Sequence, residues 1–540
     1  MTVSGRSRSY DAVVIGAGIN GMVAAAELAG AGWQVALVDE RARIGGFIDS
    51  GELTLPGYVH DTFSSWHPLF VGGGAYAAIG EDLHRHGLTY CNTDGAVTAA
   101  VSERGVVIAQ RDPEATAQSF QDPRDRAAYR RMLAQLDGWA PQVFGALGAE
   151  LSYRDLAGLV VGGWRGHGHA GLEELARVGL QSGRAYVRER FNGWEVDQLW
   201  TPWLLHAGLA PDHASGGIML PVMAASMHGL GLPVVAGGAR QFVRAFESLL
   251  SERGVEIFLG EPAEAITVVD GRSDCVIVGQ KTLVARRAVL ASTATRQLYE
   301  ELLPASAVTA QGRAAVHRHR PGRGAMQIHL ALDAPVPWTD ARLAQIPLVH
   351  VSNGADSTGI ACAQAEAQLL PSRPTVVVGQ QYVLDPARVP VGKAALWLQL
   401  QEVPFAPVGD AAGTIGVDGL WTDEVVDAYV ERVLIEVEQY APGLRSLVRK
   451  TVAFSPARLS EENRNAVRGD PYGGAVELDQ NLLWRPGSRN GHYTGVRNLF
   501  HIGAFTHPGP GLGGGSGHIV AQELTRPPAL NRAWARVTSR

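Results

Sequence analysis

Residues 10–46 read YDAVVIGAGINGMVAAAELAGAGWQVALVDERARIGG and contain three consecutive patterns. Residues 12–15 are a short apolar run, which is typical of a buried parallel strand. The alanine-rich residues 22–31 predict a helix that ends at Gly32. Residues 34–38 predict a second strand, directly before two acidic residues. A strand, a glycine-rich turn, a helix and a strand in this order predict a dinucleotide-binding unit.

The turn after the first strand has the spacing G-x-G-x-x-G, formed by Gly16, Gly18 and Gly21. Gly16 permits the tight turn, Gly18 lets a pyrophosphate approach the backbone, and Gly21 lets the helix pack closely on the strand. The first N–H groups of the helix then face the phosphates. An acid at the end of the second strand binds the ribose hydroxyls in such units. We expect Asp39 to be this acid, with Glu40 as the alternative.

Two segments resemble a known flavoprotein superfamily. Residues 39–46, DERARIGG, resemble the corresponding segment of the amine oxidase and phytoene desaturase superfamily. Residues 18–32, GINGMVAAAELAGAG, resemble its phytoene-desaturase-like branch, whose turn often reads G-x-N-G. The resemblance implies that FAD is the cofactor and that the following residues contact it: Ile19 and Asn20 in the turn, Arg41 near the phosphates, and Gly45 and Gly46 along the pyrophosphate. For Asn20 a second interpretation stays open, since asparagine is favoured at helix starts.

A second glycine-rich segment, GAFTHPGPGLGGGSGH, occupies residues 503–518 and follows an apolar run. The pattern predicts a strand, a loop and a helix whose N-terminus faces an anion. It resembles the final motif of phytoene-desaturase-like enzymes. The resemblance implies that Gly503 and Ala504 approach the ribityl phosphate and that Leu512, Gly513 and Gly514 lie against the flavin ring. Many relatives have an aspartate where this chain has Ala504, so recognition there depends on backbone N–H groups.

Further site residues also follow from the resemblance. Residues 57–66, GYVHDTFSSW, correspond to a segment beneath the flavin ring, which makes Ser65 a cofactor contact and Trp66 a catalytic candidate. Ala263, in PAEAI, corresponds to a contact with the adenine. His507 is the nearest titratable candidate to the ring, with either a catalytic or a structural role. For Trp66 the alternative is a tryptophan packed in the core.

The resemblance covers nearly the whole chain and implies an α/β fold. A Rossmann-type FAD-binding domain, of the p-hydroxybenzoate-hydroxylase/glutathione-reductase-like type, would be interleaved with an α+β substrate-binding domain. The predicted FAD-binding domain comprises residues 1–100, 234–309 and 448–540. The predicted substrate-binding domain comprises residues 101–233 and 310–447, and its first part is expected to be helical. Three tryptophans in residues 194–203 are expected in a core or along an apolar pocket.

Composition excludes several classes of protein. The formal net charge is −6, the sequence pI is about 6.3, and there is no basic stripe, so we expect no nucleic-acid partner. Three isolated cysteines form no disulfide or metal motif, and we predict no metal site. No secretory segment and no apolar membrane span are evident, so we expect a cytoplasmic protein, with peripheral membrane contact left open. Only three lysines are present, an arginine bias typical of a GC-rich bacterial genome. The sequence is compatible with both a monomer and a homodimer.

These observations predict an FAD-dependent oxidoreductase that transfers a hydride between flavin N5 and an apolar substrate. The substrate would be polyene-like or a secondary metabolite, and the reaction a desaturation or a reductive cyclisation. Positioning and water exclusion are the main needs of such a step, and no Ser/His/Asp constellation is obvious in the sequence. NAD(P)H and O₂ both stay open as the electron partner.

Two alternatives remain on the same fold. An amine or amino-acid oxidase often needs a lysine near the flavin, and only Lys393 is a candidate. A non-redox, flavin-dependent isomerase would use the same cofactor site without net electron transfer. A dehydrogenase that binds only NAD is disfavoured, because residues 503–518 would then have no role.

Overall fold

The computed structural model describes residues 7–485 and 489–526. Its strands are β1 (Ser7–Ile15), β2 (Val35–Asp39), β3 (Ser50–Gly51), β4 (His60–Asp61), β5 (Tyr90–Cys91), β6 (Ala96–Ser102), β7 (Gly105–Gln110), β8 (Val234–Val235), β9 (Glu256–Leu259), β10 (Ala263–Val269), β11 (Arg272–Val278), β12 (Lys281–Ala291), β13 (Gly324–Leu332), β14 (Leu348–Val351), β15 (Leu369–Leu370), β16 (Val376–Gly379), β17 (Ala394–Val403), β18 (Gly409–Asp410), β19 (Val448–Phe454), β20 (Arg489–His492) and β21 (Leu499–His501).

The α-helices lie mainly in the first half of the chain and on the faces of the sheets. They are α1 (Ile19–Gly30), α2 (Pro68–Val71), α3 (Gly74–Arg85), α4 (Pro113–Gln118), α5 (Pro123–Gly138), α6 (Ala140–Gly148), α7 (Tyr153–Leu180), α8 (Gly183–Arg190), α9 (Glu195–Trp200), α10 (Gly216–Leu230), α11 (Arg240–Glu252), α12 (Ala310–Arg318), α13 (Ala355–Glu366), α14 (Asp423–Glu438), α15 (Leu444–Leu447), α16 (Pro456–Glu462) and α17 (Gly515–Thr525). Helix α7 is broken at Gly168.

The first large sheet contains the predicted dinucleotide-binding unit. Its strand order is β10-β11-β12-β1-β2-β9, and β21 pairs with β12. β1 runs parallel to both β2 and β12, with Ile15 opposite Val38 and Ala291. The strand, helix and second strand predicted from residues 10–46 are confirmed, and so is the α/β fold class with a Rossmann-type nucleotide-binding domain.

Helix α1 is buried on two sides because its side chains are small. Every residue from Ile19 to Ala29 is buried, between the sheet and the helices α11 and α17. A Cβ added at Gly21 would lie 1.8 Å from the carbonyl oxygen of Gly16. A Cβ at Gly517 would lie 2.0 Å from the carbonyl oxygen of Asn20. Only glycine therefore permits the observed approach of α1 to its own turn and to α17.

The second large sheet has the order β19-β13-β17-β16-β14-β6-β7 and is mostly antiparallel. Helix α14 covers it with an apolar face that includes Val433 and Val437. Two of the predicted domain boundaries differ from this pairing. β6 and β7 occupy residues predicted as the FAD-binding domain and as helix, and β19 begins at residue 448, where that domain was expected to resume. β6 pairs with β14, and β19 pairs with β13 at one edge of the sheet. Sequence position alone does not reveal these pairings.

The helices α4–α10 form a layer against this second sheet. Trp200 and Trp203 are buried in the core between the helices and the sheet, and Trp194 packs against it. The core alternative predicted for these tryptophans therefore describes all three. Within residues 7–485 and 489–526, no helix combines the length and the apolarity that a membrane crossing requires.

A buried ion network joins the two sheets. Arg388, which is 2% exposed, donates to Asp61 at 2.7 Å and to Asp385 at 3.1 Å. Asp61 also accepts the N–H of Ala239 at 2.7 Å, and Asp385 accepts the N–H of Gly237 at 2.7 Å. The segment after β16 is thereby attached to the loops before α11.

Candidate functional site

A cleft with about 630 Å³ of empty space lies at the carboxyl ends of β1, β2 and β12. Nucleotides bind at this edge of open α/β sheets, since the glycine turn and the helix N-terminus face it. Seven residues predicted from the sequence line the cleft together: Gly16, Gly18, Asp39, Glu40, Arg41, Gly46 and Ala263. Segments that are far apart in the chain thus form one candidate site for the adenosine and pyrophosphate.

The glycine turn leaves room for a ligand at one position. A Cβ built on Gly18 has no protein atom within 4 Å, whereas a Cβ on Gly16 would lie 2.7 Å from the carbonyl oxygen of Ser292. Gly46 packs against the turn, because a Cβ there would lie 3.1 Å from the Cα of Gly18. The space in front of Gly18 is therefore open on the side that a pyrophosphate approaches.

The acids at the end of β2 have different surroundings. Asp39 accepts the N–H groups of Ala17 at 2.6 Å and Arg41 at 2.9 Å, and burial raises its pKa. Glu40 is exposed and lies 3.3 Å from the guanidinium of Arg464. Asp39 thus holds the glycine turn in place while it lines the cleft, and its role toward a ribose stays a prediction.

Arg41 braces the predicted pyrophosphate path. Its guanidinium donates to the carbonyl oxygen of Gly46 at 2.7 Å. The N–H of Gly45 donates to the carbonyl oxygen of Ala17 at 2.8 Å. These two hydrogen bonds fix the Gly-Gly pair next to the turn.

Several residues that line the cleft were not identified as site residues from the sequence. Ser292, Thr293 and Gln297 follow β12, and Asn463, Arg464 and Asn465 follow α16. Asn465 donates its side-chain amide to the carbonyl oxygen of Ser292 at 3.0 Å. The only local signal was the polar run 292–295, STAT, after a buried strand. The run 463–465 carries no recognisable spacing.

The second glycine loop is fastened by a chain of hydrogen bonds. The N–H of Gly503 donates to the hydroxyl of Ser516 at 3.0 Å, and Ser516 contacts His492 Nε2 at 2.9 Å. His492 Nδ1 lies 2.6 Å from a carboxylate oxygen of Glu150. Ser516, His492 and Glu150 therefore form a contiguous chain that the sequence did not reveal. Ser516 is buried and also contacts the hydroxyl of Thr506 at 2.9 Å, so the chain positions the loop instead of exposing a nucleophile.

The two glycine loops meet at the contact between α1 and α17. The side-chain oxygen of Asn20 accepts the N–H of Gly517 at 3.3 Å. A Cβ on Gly514 would lie 3.4 Å from Ile19. Glu27 further along α1 pairs with His518 at 2.7 Å. Asn20 therefore links the two loops, a role that neither sequence-based interpretation included.

The predicted contact at Ala504 has a cation behind it. The carbonyl oxygen of Ala504 accepts hydrogen bonds from Arg485, one of them at 2.9 Å from Nε. Arg485 also donates to the carbonyl oxygen of Tyr472 at 2.6 Å, and burial lowers its pKa to about 10. A positive charge is thus held beside the loop predicted to face the flavin.

The remaining predicted site residues lie outside the cleft. The hydroxyl of Ser65 donates to Asp61 at 2.5 Å and accepts from the side-chain amide of Gln381 at 3.0 Å, so it belongs to the buried ion network. Trp66 bridges to Val234 and packs against the helical layer. Gly513 packs on Leu69, and Leu512 is half-buried against the core of the first sheet.

His507 is buried beside the second loop. Burial lowers its pKa to about 4, with His492, Glu150 and Arg485 as the nearby charged or titratable groups. The imidazole is therefore neutral at pH 7. Its catalytic and structural roles both stay predictions.

The residues present fit FAD. The cleft offers the open position at Gly18, and the buried hydroxyl of Thr293 has no hydrogen-bond partner among the described residues. A dinucleotide with ribose and phosphate oxygens satisfies both features. Within the same described residues, no group of three or more His, Cys, Asp and Glu side chains could hold a metal ion.

Comparisons with known proteins agree with this geometry. Residues 14–79 match the NAD(P)-binding Rossmann-like domain. The chain is 25% identical to pyridine nucleotide-disulfide oxidoreductase domain-containing protein 2 of Rattus norvegicus, over 95% of this chain and 94% of that protein. It is 26% identical to the lycopene-forming phytoene desaturase of Pseudescherichia vulneris, over 93% of this chain and 96% of that protein. Among solved structures, putrescine oxidase bound to putrescine superposes with a TM-score of 0.60 at 15% identity, over 96% of this chain and 99% of that structure.

The fold and the two joined glycine loops define a flavoprotein oxidoreductase with FAD as its cofactor. Within that class, the chain is similar to phytoene desaturases over nearly its whole length. The solved structure supports the fold alone.

Proposed function

We propose that the enzyme transfers a hydride between FAD and an apolar, polyene-like or secondary-metabolite substrate, in a desaturation or a reductive cyclisation. The observation that carries the proposal is the contact of the two glycine-rich segments at α1 and α17, which supports one site shared by a dinucleotide and its reactive ring. The similarity to phytoene desaturases over 93% of the chain supports a polyene-like substrate.

An apolar cluster directly follows the pyrophosphate path. Phe47 comes after the Gly45–Gly46 pair and meets Phe63 with ring centroids 4.9 Å apart. Phe63 meets Phe454 at 5.1 Å, and its carbonyl oxygen accepts from the side chain of Trp397 at 3.2 Å. Such a cluster excludes water and favours an apolar reactant near the cofactor.

The chain's own groups would position the reactants. FAD, when bound, supplies the hydride acceptor or donor. The N-terminus of α17 and the cation of Arg485 place positive potential beside the second loop, and Ser516, His492 and Glu150 hold that loop in place. Neutral His507 is not available as a cationic acid at pH 7. Desaturation of an apolar C–H bond requires this positioning more than a dedicated base.

The amine oxidase alternative loses its lysine. Lys393 pairs with Asp333 at 2.8 Å on the surface, Lys281 pairs with Glu261, and Lys450 is exposed on β19. The ion pair of Lys393, the candidate named for the amine oxidase alternative, engages its ammonium group with Asp333 and so counts against this alternative. NAD(P)H and O₂ both remain candidate electron partners.

Anaerobic incubation of the FAD-loaded enzyme with a panel of polyenes tests the proposal. We expect lasting bleaching of the flavin absorption band near 450 nm with at least one polyene and a product whose mass differs by about two hydrogens. Putrescine, added as a matched amine, should leave the band unchanged and yield no peroxide in air. A rearranged product without bleaching would identify the isomerase alternative, and amine-dependent peroxide would identify an amine oxidase.

A further inference from the structure

A second cavity, separate from the nucleotide cleft, opens at the end of the second sheet. It has about 790 Å³ of empty space and lies where β13 begins and β17 ends. Its lining combines apolar side chains, among them Val403 and Phe405, with the two arginines Arg323 and Arg468. Neither the predicted cofactor residues nor the comparisons assign a role to this cavity.

One of the two arginines that line the cavity has no ion pair among the described residues. Glu366 pairs with Arg323 at 3.0 Å, and Glu477 lies 3.7 Å from Arg320 outside the lining. Among the described residues Arg468 has no ion pair, and its recorded contact is the ring of Phe405, 5.7 Å from the guanidinium carbon. Each acid in the lining is therefore matched by an arginine, whereas the guanidinium of Arg468 lacks a carboxylate.

Arg468, which lines the cavity, has an unusual backbone conformation. Its φ is +59°, in the left-handed region that a side chain rarely adopts. The following residue, Gly469, packs against Pro456, since a Cβ there would lie 2.5 Å from the proline carbonyl oxygen. Strain of this kind persists where surrounding contacts enforce it, and such residues concentrate at binding sites.

Polar atoms inside the cavity lack partners. Arg323 uses two of its nitrogens for Glu366 and for the carbonyl oxygen of Gly208 at 2.7 Å, while its buried Nε has no partner among the described residues. Gln401, 3% exposed, donates to the hydroxyl of Tyr472 at 2.7 Å and leaves its side-chain oxygen unpaired there. Buried polar groups without partners are costly, so a ligand that offers an acceptor oxygen to Arg323 Nε would be favoured, whereas the side-chain oxygen of Gln401 would require an N–H or O–H donor.

The cavity is next to the second glycine loop. Tyr472 and Gly474 line it, and Gly473 between them packs on Ala504, with a built Cβ 2.8 Å from the Ala504 side chain. Arg485 bonds to the carbonyl oxygens of Tyr472, Gly473 and Ala504 together. The wall of the cavity is thus directly attached to the loop that is predicted to face the flavin.

We propose that this cavity binds the carboxylate of a molecule with an apolar body, and that the substrate of the proposed oxidoreductase carries this acidic group. The second part of the proposal rests on the proposed function. Arg468 would pair with the carboxylate, since guanidinium and carboxylate match as a two-pronged pair, and the N–H at Arg323 Nε would donate to an oxygen of the head group. Val403 and Phe405 would contact the apolar body.

Calorimetric titration of the FAD-loaded enzyme with two matched probes tests the cavity. The probes are 2,4-decadienoate and 2,4-decadien-1-ol, which share an apolar body and differ in the carboxylate. We expect the acid to bind at least about tenfold more tightly than the alcohol. Arg468→Met should remove that preference, and because Arg468 is exposed the variant should fold. Arg131→Met, at an exposed arginine on α5 outside the lining, is the matched control and should keep it.

The outcomes separate the cavity from the redox function. Equal affinity for acid and alcohol, or an undiminished preference in Arg468→Met, would overturn the cavity proposal. Flavin absorbance followed in the same samples reports the reaction independently. Bleaching by a neutral polyene without acid binding leaves the redox function standing and removes the carboxylate site. Preferred acid binding that Arg468→Met abolishes, without bleaching by any polyene, supports the carboxylate site and removes the redox function.

Discussion

Single residues at the cleft separate binding from folding. Gly18 and Gly21 belong to the same motif, yet a Cβ on Gly18 meets no protein atom within 4 Å while one on Gly21 would lie 1.8 Å from a carbonyl oxygen. Gly18 is therefore open toward the cleft, where the sequence predicts a ligand contact, and Gly21 serves the packing of α1. The spacing of the glycines alone does not distinguish these roles.

Replacing Gly18 with valine should abolish FAD retention and leave the fold intact. The new side chain would occupy the space predicted for the pyrophosphate, and no protein atom opposes it. We expect the flavin-to-protein absorbance ratio to fall at least about tenfold, with an unchanged far-ultraviolet circular dichroism spectrum. Gly158→Val, at an exposed glycine of α7 with equally open surroundings, is the control. Full flavin occupancy in Gly18→Val would refute the assignment of this cleft.

Glu402 is a buried carboxyl that should make stability depend on pH. Burial raises its pKa to about 7, against 4.5 for an exposed glutamate. Its contribution to stability is full below about pH 4.5 and is lost as the pH rises through about 7, because the folded state holds the proton more tightly. The free energy of unfolding should lose up to about 3 kcal/mol over this interval.

Chemical unfolding at pH 5 and pH 8 checks this expectation. Glu402→Gln should show a smaller loss of stability between the two pH values than the unaltered enzyme, because the amide does not titrate. It still offers one acceptor to the N–H of Thr375, now 2.6 Å from the carboxylate. Glu81→Gln, at an exposed acid of α3, should leave the pH dependence unchanged. An identical pH dependence in Glu402→Gln would show that Glu402 is already ionised at pH 5.

At the scale of elements, the contact of α1 with α17 assembles the cofactor site. One helix follows the first glycine loop, the other follows the second, and Asn20, Glu27 and His518 bond across them. The glycines of both helices set their distance, because backbone meets backbone at Asn20 and Gly517. The relative position of the two loops therefore depends on this helix pair.

Gly517→Ala should lower both stability and FAD occupancy. The added methyl group would lie 2.0 Å from the carbonyl oxygen of Asn20, so α17 must shift. Overpacking of this kind costs about 1–3 kcal/mol. Thermal unfolding and the flavin-to-protein ratio measure the two effects. Gly229→Ala is the control, because Gly229 is exposed near the end of α10 and a Cβ there has no atom within 4 Å. It should change neither the stability nor the flavin occupancy. Unaltered flavin binding in Gly517→Ala would mean that the loops are positioned independently of the helices.

For the whole molecule, the buried network around Arg388 connects the two sheets. Asp61 lies in the hairpin after the pyrophosphate path, and Asp385 precedes β17 of the second sheet. Ser65 and Gln381 extend the network on the same side. The loops around the predicted flavin segment are thus tied to the substrate side by charge as well as by apolar packing.

Arg388→Met should destabilise the folded protein by about 3–5 kcal/mol, because it leaves two buried carboxylates without their cation. Chemical unfolding measures the change. Arg342→Met removes an exposed pair with Asp340 and should cost less than about 1 kcal/mol. A similar small loss in Arg388→Met would show that the network contributes little to joining the sheets.

The sequence by itself determined the dinucleotide-binding unit and, through its resemblance to known flavoproteins, the cofactor class, and it predicted a second glycine-rich loop for the same cofactor. These features depend on local spacing: glycines where backbone must approach backbone or phosphate, a buried strand before them and a helix after them. The same spacing identifies Gly16, Gly18 and Asp39, the resemblance implies Arg41, Gly46 and Ala263, and the structure brings all six into one cleft.

Only the tertiary structure decided which distant segments complete that cleft and what lies beside it. Asn463, Arg464 and Asn465 reach the cleft through a loop with no spacing of its own, and Glu150 reaches Ser516 through His492. Contacts between remote parts of the chain likewise pair β6 and β19 with the second sheet and engage Ser65 in the ion network. They also place Arg468, which has no ion pair among the described residues, at the second cavity. Such contacts follow from packing and from the pairing of buried polar groups, which short-range sequence patterns do not encode.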